Sequence, residues 1–288
     1  MNNSEVSALL QQMGLKQVPN SVSRFQNEED GSAYDVWKIE MPSEVFVLKQ
    51  AKGFELETYQ TFFTQPNDYA PRLIGCCKTE NSVFLLVEYI PGGNLMHCSR
   101  GLLTKALDSL VQMQSNFWGS FDFGQSYEKS LSGRKNRRNY LNDPQLEAAY
   151  DEYLHEYSVV PRTLCHDDLL PFNIIINDER AVFIDWEYGG ILPYPTSLVR
   201  MIAHGEEKDD AFFYMKESDK HFAIRYYYDA LVRKYSIPYE DYLRSIKLFL
   251  FYEYCEWVFV GNKYGETDND RFRRYLKKAK EMAKELGY

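Results

Sequence analysis

His166, Asp168, Asn173 and Asp185 stand close together in LCHDDLLPFNIIINDERAVFIDWE, residues 164–187. They flank two short apolar runs, FNIII and AVFID, where an unpaired carboxylate is costly to bury. The polar residues 177–180 between the runs predict a β-hairpin. Pairing Ile176 with Ala181 sets Ile175 against Val182, Ile174 against Phe183 and Asn173 against Ile184. Asn173 and Asp185 then emerge at one open end, within reach of a single cation. A carboxylate and an amide oxygen are hard ligands that suit Mg²⁺, which completes its shell with waters and substrate phosphates. Asp168, in the loop that leads into this end, is left free to accept a proton from an attacking hydroxyl.

The elements around this hairpin divide the chain in two. Residues 5–15 (EVSALLQQMGL) read as a short amphipathic helix. VSRFQ, AYDVWKIEM and EVFVLKQ follow as strands, GFELETYQTFF has apolar residues at helical spacing, and RLIGCCKTEN and SVFLLVEYI are two more strands ending at PGGN. Residues 1–90 therefore form a small antiparallel-sheet lobe with one helix after its third strand. Residues 91–288 read as a larger, mainly helical lobe that carries the hairpin. TKALDSLVQMQSNFW and QLEAAYDEYLHEY are helical, and nearly everything beyond residue 195 is helical and aromatic. The polar, basic SYEKSLSGRKNRRNYLND reads as a loop or the start of a helix. The fold class is α+β, in two lobes, and ligands favour the cleft between such lobes.

The order H-x-D-x-x-x-x-N, hairpin, then I-D has the spacing of a kinase catalytic loop followed by its metal-binding aspartate. Through HDDLLPFN and FIDWEYGG the chain resembles the aminoglycoside phosphotransferase and choline kinase branch of the protein-kinase-like fold. The resemblance implies Asp168 as catalytic base, Asn173 and Asp185 as Mg²⁺ ligands, and His166 as the residue that packs the catalytic loop. It implies ATP as co-substrate, with Lys49 on the α- and β-phosphates and Glu55 or Glu57 as its partner. Backbone groups of Glu88 and Ile90 would meet adenine, and the turn NEEDGSAY, with Gly31 and Ser32, would cover the phosphates. The chain departs from the family at Gln114, where histidine is usual, and at Asp167, where small or amide residues are usual. No D-F-G, A-P-E or activation segment points to a protein-serine kinase. The presence of Lys49, Asp168, Asn173 and Asp185 together argues against a catalytically silent scaffold.

Composition narrows the partners. With 33 basic and 42 acidic residues the net charge is −9, which argues against a nucleic-acid surface and is compatible with a cationic substrate. Five cysteines without a C-x-x-C pair suggest reduced thiols. No segment reads as a signal peptide or as the roughly 18 apolar residues of a membrane span. A cytoplasmic monomer or homodimer, binding neither membrane nor nucleic acid, is the expectation. GRKNRRN, residues 133–139, reads as a solvated loop or as a contact for an anion. Glu253 and Glu256 share a helix face near Tyr252 and Trp257, a stretch that reads as aromatic core or as an acidic, aromatic wall for an amine-bearing acceptor. Together these readings describe an ATP-dependent kinase that phosphorylates a hydroxyl of a small, amine-bearing acceptor. Aminoglycosides, choline or ethanolamine, and sugars or homoserine-like metabolites all remain open.

Overall fold

Strands whose side chains alternate between two apolar environments build the first part of the chain. The computed structural model describes residues 3–15, 17–26, 33–120 and 125–288. Helix α1 (Asn3–Gln12) precedes β1 (Ser21–Gln26), β2 (Ala33–Glu40) and β3 (Val45–Gln50). Helix α2 (Glu55–Phe62), β4 (Leu73–Lys78) and β5 (Val83–Glu88) follow. The strands form one antiparallel sheet in the order β1-β2-β3-β5-β4. Period-two alternation gives each face its own core. Phe84 and Leu86 of β5 join Phe46 and Leu48 of β3 and Val6, Leu9 and Leu10 of α1. Leu85 and Val87 turn the other way, into the large core shared with Tyr59 of α2, Phe63 just beyond it and the helical lobe. Full burial of a side chain such as Leu85 or Leu86 contributes about 1.5–3 kcal/mol. The same alternation sends Lys49, two residues after Val47, to the face that looks onto the helical lobe.

Beyond PGGN the chain continues through β6 (Gly93–Asn94), α3 (Arg100–Asn116), α4 (Ser126–Arg138), α5 (Pro144–Val159) and β7 (Arg162–Cys165). Ser99 caps α3 and Asp143 caps α5, each accepting from backbone N–H groups of the first turn. The hairpin is β8 (Ile174–Ile176) and β9 (Ala181–Phe183), with the register Ile176–Ala181, Ile175–Val182 and Ile174–Phe183 that the sequence predicts. It pairs with β6, while β10 (Gly190–Pro193) pairs with β7. The chain ends in α6 (Pro195–Ile202), α7 (Glu217–Ala230), α8 (Tyr239–Tyr264) and α9 (Asp270–Glu285). Tyr150, Tyr153 and Tyr157, at helical spacing on α5, pack their rings on Phe249 and Tyr252 of α8, some stacked and some tilted or edge-to-face. Among the described residues no helix is long and apolar enough to cross a membrane.

One expectation is corrected here. Residues 133–138 are not a solvated loop but the second half of α4, and Arg134 within them is buried. Arg134, Arg137 and Arg138 each have a carboxylate partner within the protein, which leaves Lys135 as the exposed basic residue of the helical part.

Candidate active site

Lys49, Glu55 and Asp185 come together across the sheet face that looks onto the helical lobe. Lys49 Nζ lies 2.7 Å from Asp185 Oδ1, in an aligned hydrogen bond, and 2.8 Å from Glu55 Oε1. The Glu55 contact is an ion pair without hydrogen-bond alignment. Glu57, the alternative partner, is exposed on the far side of α2. Burial works against the Lys49 charge, yet the carboxylates of Glu55 and Asp185 outweigh it and hold the ammonium pKa above its ordinary value. Burial raises Glu55 despite Lys49. For Asp185 burial pushes the same way, but Lys49 outweighs it and the carboxyl lies below its usual range.

Only residues 50–54 separate Lys49 from Glu55, and the backbone explains how so short a link suffices. Phe54 N–H donates to the Glu187 carbonyl at 2.9 Å, which seats the start of α2 on the chain just after Asp185. Gly53 makes the approach possible. Its φ is +48°, and a Cβ there would overlap the Glu187 carbonyl oxygen.

The candidate catalytic loop, residues 166–173, is anchored residue by residue. His166 N–H donates to Ser197 Oγ at 2.9 Å, and its buried ring lies 4.6 Å from that of Trp186. Nε2 is 2.7 Å from the Ile184 carbonyl, so this nitrogen carries the proton and donates. Burial pushes the imidazole down to about 4, which keeps it neutral. Asn173 Nδ2 donates to the Asp168 carbonyl at 2.9 Å, which engages the amide nitrogen and leaves the amide oxygen for a ligand. Ile184 N–H donates to the Asn173 carbonyl at 3.0 Å, extending the hairpin to its open end, and Asp185 follows with φ +67°. Aspartate is among the few residues that tolerate that conformation.

Asn173 and Asp185 fit a divalent cation. They are hard oxygen donors at one hairpin end, and Asp185 is 47% exposed although Lys49 holds one of its oxygens. Among the described residues no cluster of three or more His, Cys, Asp or Glu is placed to hold a metal ion. A cation at this two-residue site therefore needs phosphate oxygens as well.

Asp168 lies under Arg200 of α6, a residue the sequence reading passed over. Arg200 Nε and Nη2 both reach Asp168 Oδ1, at 3.1 and 2.8 Å. Burial lifts the Asp168 carboxyl to about 6 against the pull of Arg200, with Glu253 and Glu256 adding to the rise. Arg200 Nη1 also donates to Glu253 Oε2 at 2.7 Å and Glu256 Oε2 at 2.6 Å. Glu256 Oε1 is 2.8 Å from Arg137 of α4. Burial opposes its charge, but Arg200 and Arg137 bring the carboxyl down to about 2.

The acceptor wall read from the sequence is thereby corrected. Glu253 and Glu256 share a helix face as expected, but that face is occupied by Arg200 and Arg137 and is not free to hold an acceptor's charge. Trp257 lines a cavity of about 290 Å³ between α8 and α9, whose other walls include Glu266, Asn269 and Phe272 but neither Asp168 nor the two glutamates. The guanidinium of Arg271 already covers its ring at 4.5 Å. Two carboxylates at i and i+3 in an apolar helix were the one signal for Arg200, because buried charges are paired. Glu88 closes β5, with Oε2 accepting from Arg72 N–H at 3.2 Å and Oε1 at 3.5 Å from Arg180, and Ile90 follows it. Gly31 and Ser32 lie outside the described residues.

Comparison with known proteins identifies the family and the fold. The model of the phosphotransferase enzyme family matches residues 44–227, more than half of the chain, and the chain belongs to that family. Over 123 residues it is 25% identical to the protein LicA of Haemophilus influenzae, a match covering 42% of this chain and 44% of that one. The chain thus spans less than half the length of the curated relatives it matches. The crystal structure of choline kinase LicA from Streptococcus pneumoniae is similar over 99% of this chain and 100% of that one, with a TM-score of 0.60 and 14% identity. Amicoumacin kinase hAmiN, in complex with AMP-PNP, Ca²⁺ and Ami, is similar over 98% of this chain and 91% of that one, with a TM-score of 0.61 and 12% identity. At such identities the likeness carries the fold, a kinase-like α+β arrangement in two lobes.

Proposed function

We propose that this member of the phosphotransferase enzyme family is an ATP-dependent kinase that passes the γ-phosphate to a hydroxyl of a small, amine-bearing alcohol. The observation that carries the reading is the bond from Lys49 of β3 to Asp185, distant in sequence, with Asn173 held on the backbone carbonyl of Asp168 at the same hairpin end. Lys49, kept charged by two carboxylates, is suited to donate to phosphate oxygens. Asn173 and Asp185 would hold Mg²⁺, which when bound with the nucleotide neutralises phosphate charge. Asp168 keeps Oδ1 on Arg200, so Oδ2 is the oxygen that takes the acceptor proton. As that proton leaves, the acceptor oxygen bonds to the γ-phosphorus, and the bond to the β–γ bridging oxygen breaks with its electron pair going to ADP. The backbone around Glu88 and Ile90, where β5 runs into the helical lobe, is the place for adenine.

Two observations support an amine on the acceptor. Around Asp168 three carboxylates (Asp168, Glu253 and Glu256) face the guanidiniums of Arg200 and Arg137 and the imidazole of His204, so the cluster carries no net positive charge to repel a cation. Tyr188, three residues after Asp185, is 54% exposed, and its phenol pKa is raised by burial and by the charges of Glu187, Asp168 and Asp185. An exposed aromatic face beside carboxylates attracts an ammonium group. That choline kinases stand among the similar structures agrees with this class.

The test is ADP release measured across choline, ethanolamine, aminoglycosides and neutral sugars. Turnover is expected with an amine-bearing alcohol, and Asp168→Asn should lower it by about 10²- to 10⁴-fold, the usual worth of a general base. Turnover with neutral sugars alone would overturn the acceptor class, and full activity of Asp168→Asn would overturn the role of Asp168.

A further inference from the structure

Asp167 is the residue for which the phosphotransferase reading has no task, and the structure gives it an unusually complete set of partners. Its carboxylate receives Arg134 Nη2 at Oδ1 (2.6 Å), and Arg134 Nη1 (3.2 Å) and Ser130 Oγ (3.0 Å) at Oδ2. Arg134 is 4% exposed and Asp167 13%, so both charges are largely withdrawn from water. The guanidinium lies between the rings of Tyr157 and Tyr252, at 4.6 and 4.7 Å from their centres, and its Nε donates to Tyr153 Oη at 2.8 Å. Ser130 Oγ also meets Arg134 and accepts from Tyr157 Oη at 3.1 Å. One planar fork thus joins the catalytic loop to α4, α5 and α8, a geometry a lysine cannot reproduce.

The backbone shows what this fork controls. Asp167 has φ +57°, a conformation that costs energy in an L residue and persists only where surroundings hold it. The residues on either side are tied elsewhere: His166 to Ser197 and the hairpin, Asp168 to Arg200 of α6. Three consecutive side chains therefore point to three different elements, and the direction of Asp168 depends on the turn at Asp167. We propose that Arg134 and Asp167 are a positioning pair that holds the catalytic loop in the turn needed to present Asp168 to the acceptor hydroxyl. This rests on the proposed role of Asp168 and adds to it a residue from α4 that touches no substrate.

The experiment compares the wild type, Asp168→Asn, Arg134→Lys and the double variant Arg134→Leu, Asp167→Asn. The double variant removes both buried charges at once and avoids leaving either unpaired. Positioning predicts a folded double variant whose kcat is down about 10- to 100-fold, the cost of a small misplacement of a reacting group. Its KM for ATP should be unchanged, because Lys49 and Asp185 do not touch the pair. Arg134→Lys, which keeps the charge and loses the fork, should show the same split to a smaller degree, and it decides the matter if the double variant does not fold. Wild-type kcat in the folded double variant, or in Arg134→Lys when only that one folds, would overturn the pair while leaving the kinase reading intact. Wild-type kcat in Asp168→Asn would overturn both.

Discussion

Replacing Arg200 by methionine should move the pH at which the enzyme gains activity. In the structure Arg200 donates twice to Asp168 Oδ1, the shorter contact being 2.8 Å. At an effective dielectric constant of about 20, two unit charges at that separation attract by about 6 kcal/mol. Burial already lifts Asp168 to about 6 with Arg200 in place. One pKa unit corresponds to about 1.4 kcal/mol, so losing even a quarter of this attraction raises the carboxyl by about another unit. Glu253 and Glu256, deprived of the same guanidinium, push in the same direction. The sign follows from the role. A base works only when ionised, so wild-type kcat/KM should fall as the pH drops through about 6. In Arg200→Met the fall should begin at least about one unit higher.

The assay is acceptor kcat/KM from ADP release between about pH 5 and pH 9, since that ratio reports ionisation of the free enzyme. Breaking a buried pair by removing one partner costs about 3–5 kcal/mol, so the variant should be assayed well below its melting temperature. Arg200→Lys is the companion, because one ammonium keeps a positive charge without spanning three carboxylates and should shift the limb less. An acid limb at the wild-type pH in folded Arg200→Met, with Asp168→Asn inactive, would refute the idea that Arg200 sets the basicity of Asp168.

Two further outcomes follow from the nucleotide side of the cleft. ATP with Mg²⁺ at 100 times its Kd should stabilise the protein by about 2.7 kcal/mol in a thermal melt, and Asp185→Asn should abolish that gain; a melt insensitive to ATP with Mg²⁺ would remove the basis for the metal site. Gly53→Ala should lower stability by more than about 1 kcal/mol, because alanine resists positive φ, and it should raise the KM for ATP by shifting Glu55 from Lys49. Unchanged melting temperature and KM would show that the Gly53–Glu187 approach is not needed.

What could be read from the sequence and what could not divide by the range of the interactions. The hairpin was legible because both its alternation and its turn are written within residues 172–185, and its register needed no distant partner. Lys49 was legible through the family resemblance, as the lysine that ends the third strand, and the alternation of β3 gives it the face that looks onto the helical lobe. α4 was legible only as a loop or the start of a helix, because its buried positions include Ser126 and Arg134 in place of a continuous apolar stripe. Arg200 and Arg134 were missed because a carboxylate does not name its partner. Each meets the catalytic loop from a separate helix, 32 and 33 residues away along the chain. Glu253 and Glu256 were placed on the right face and given the wrong occupant.

That last error bears on how the acceptor is chosen. A free pair of glutamates on α8 would put specificity in the C-terminal helices. With both committed to Arg200, they would act on an acceptor only through the charge balance around Asp168. Desolvation of the ammonium would then have to be offset by the exposed ring of Tyr188 and by Asp168 Oδ2. Tyr188 and Asp168 sit in segments held by Asp185 and His166, so on the proposed reading recognition of an amine and delivery of the hydroxyl would depend on one loop framework. In that arrangement Tyr188→Leu should raise the KM of a quaternary or primary amine acceptor far more than that of ATP, whereas a change at Trp257 should move neither. Acceptor KM that followed Trp257 and ignored Tyr188 would return specificity to the α8–α9 cavity.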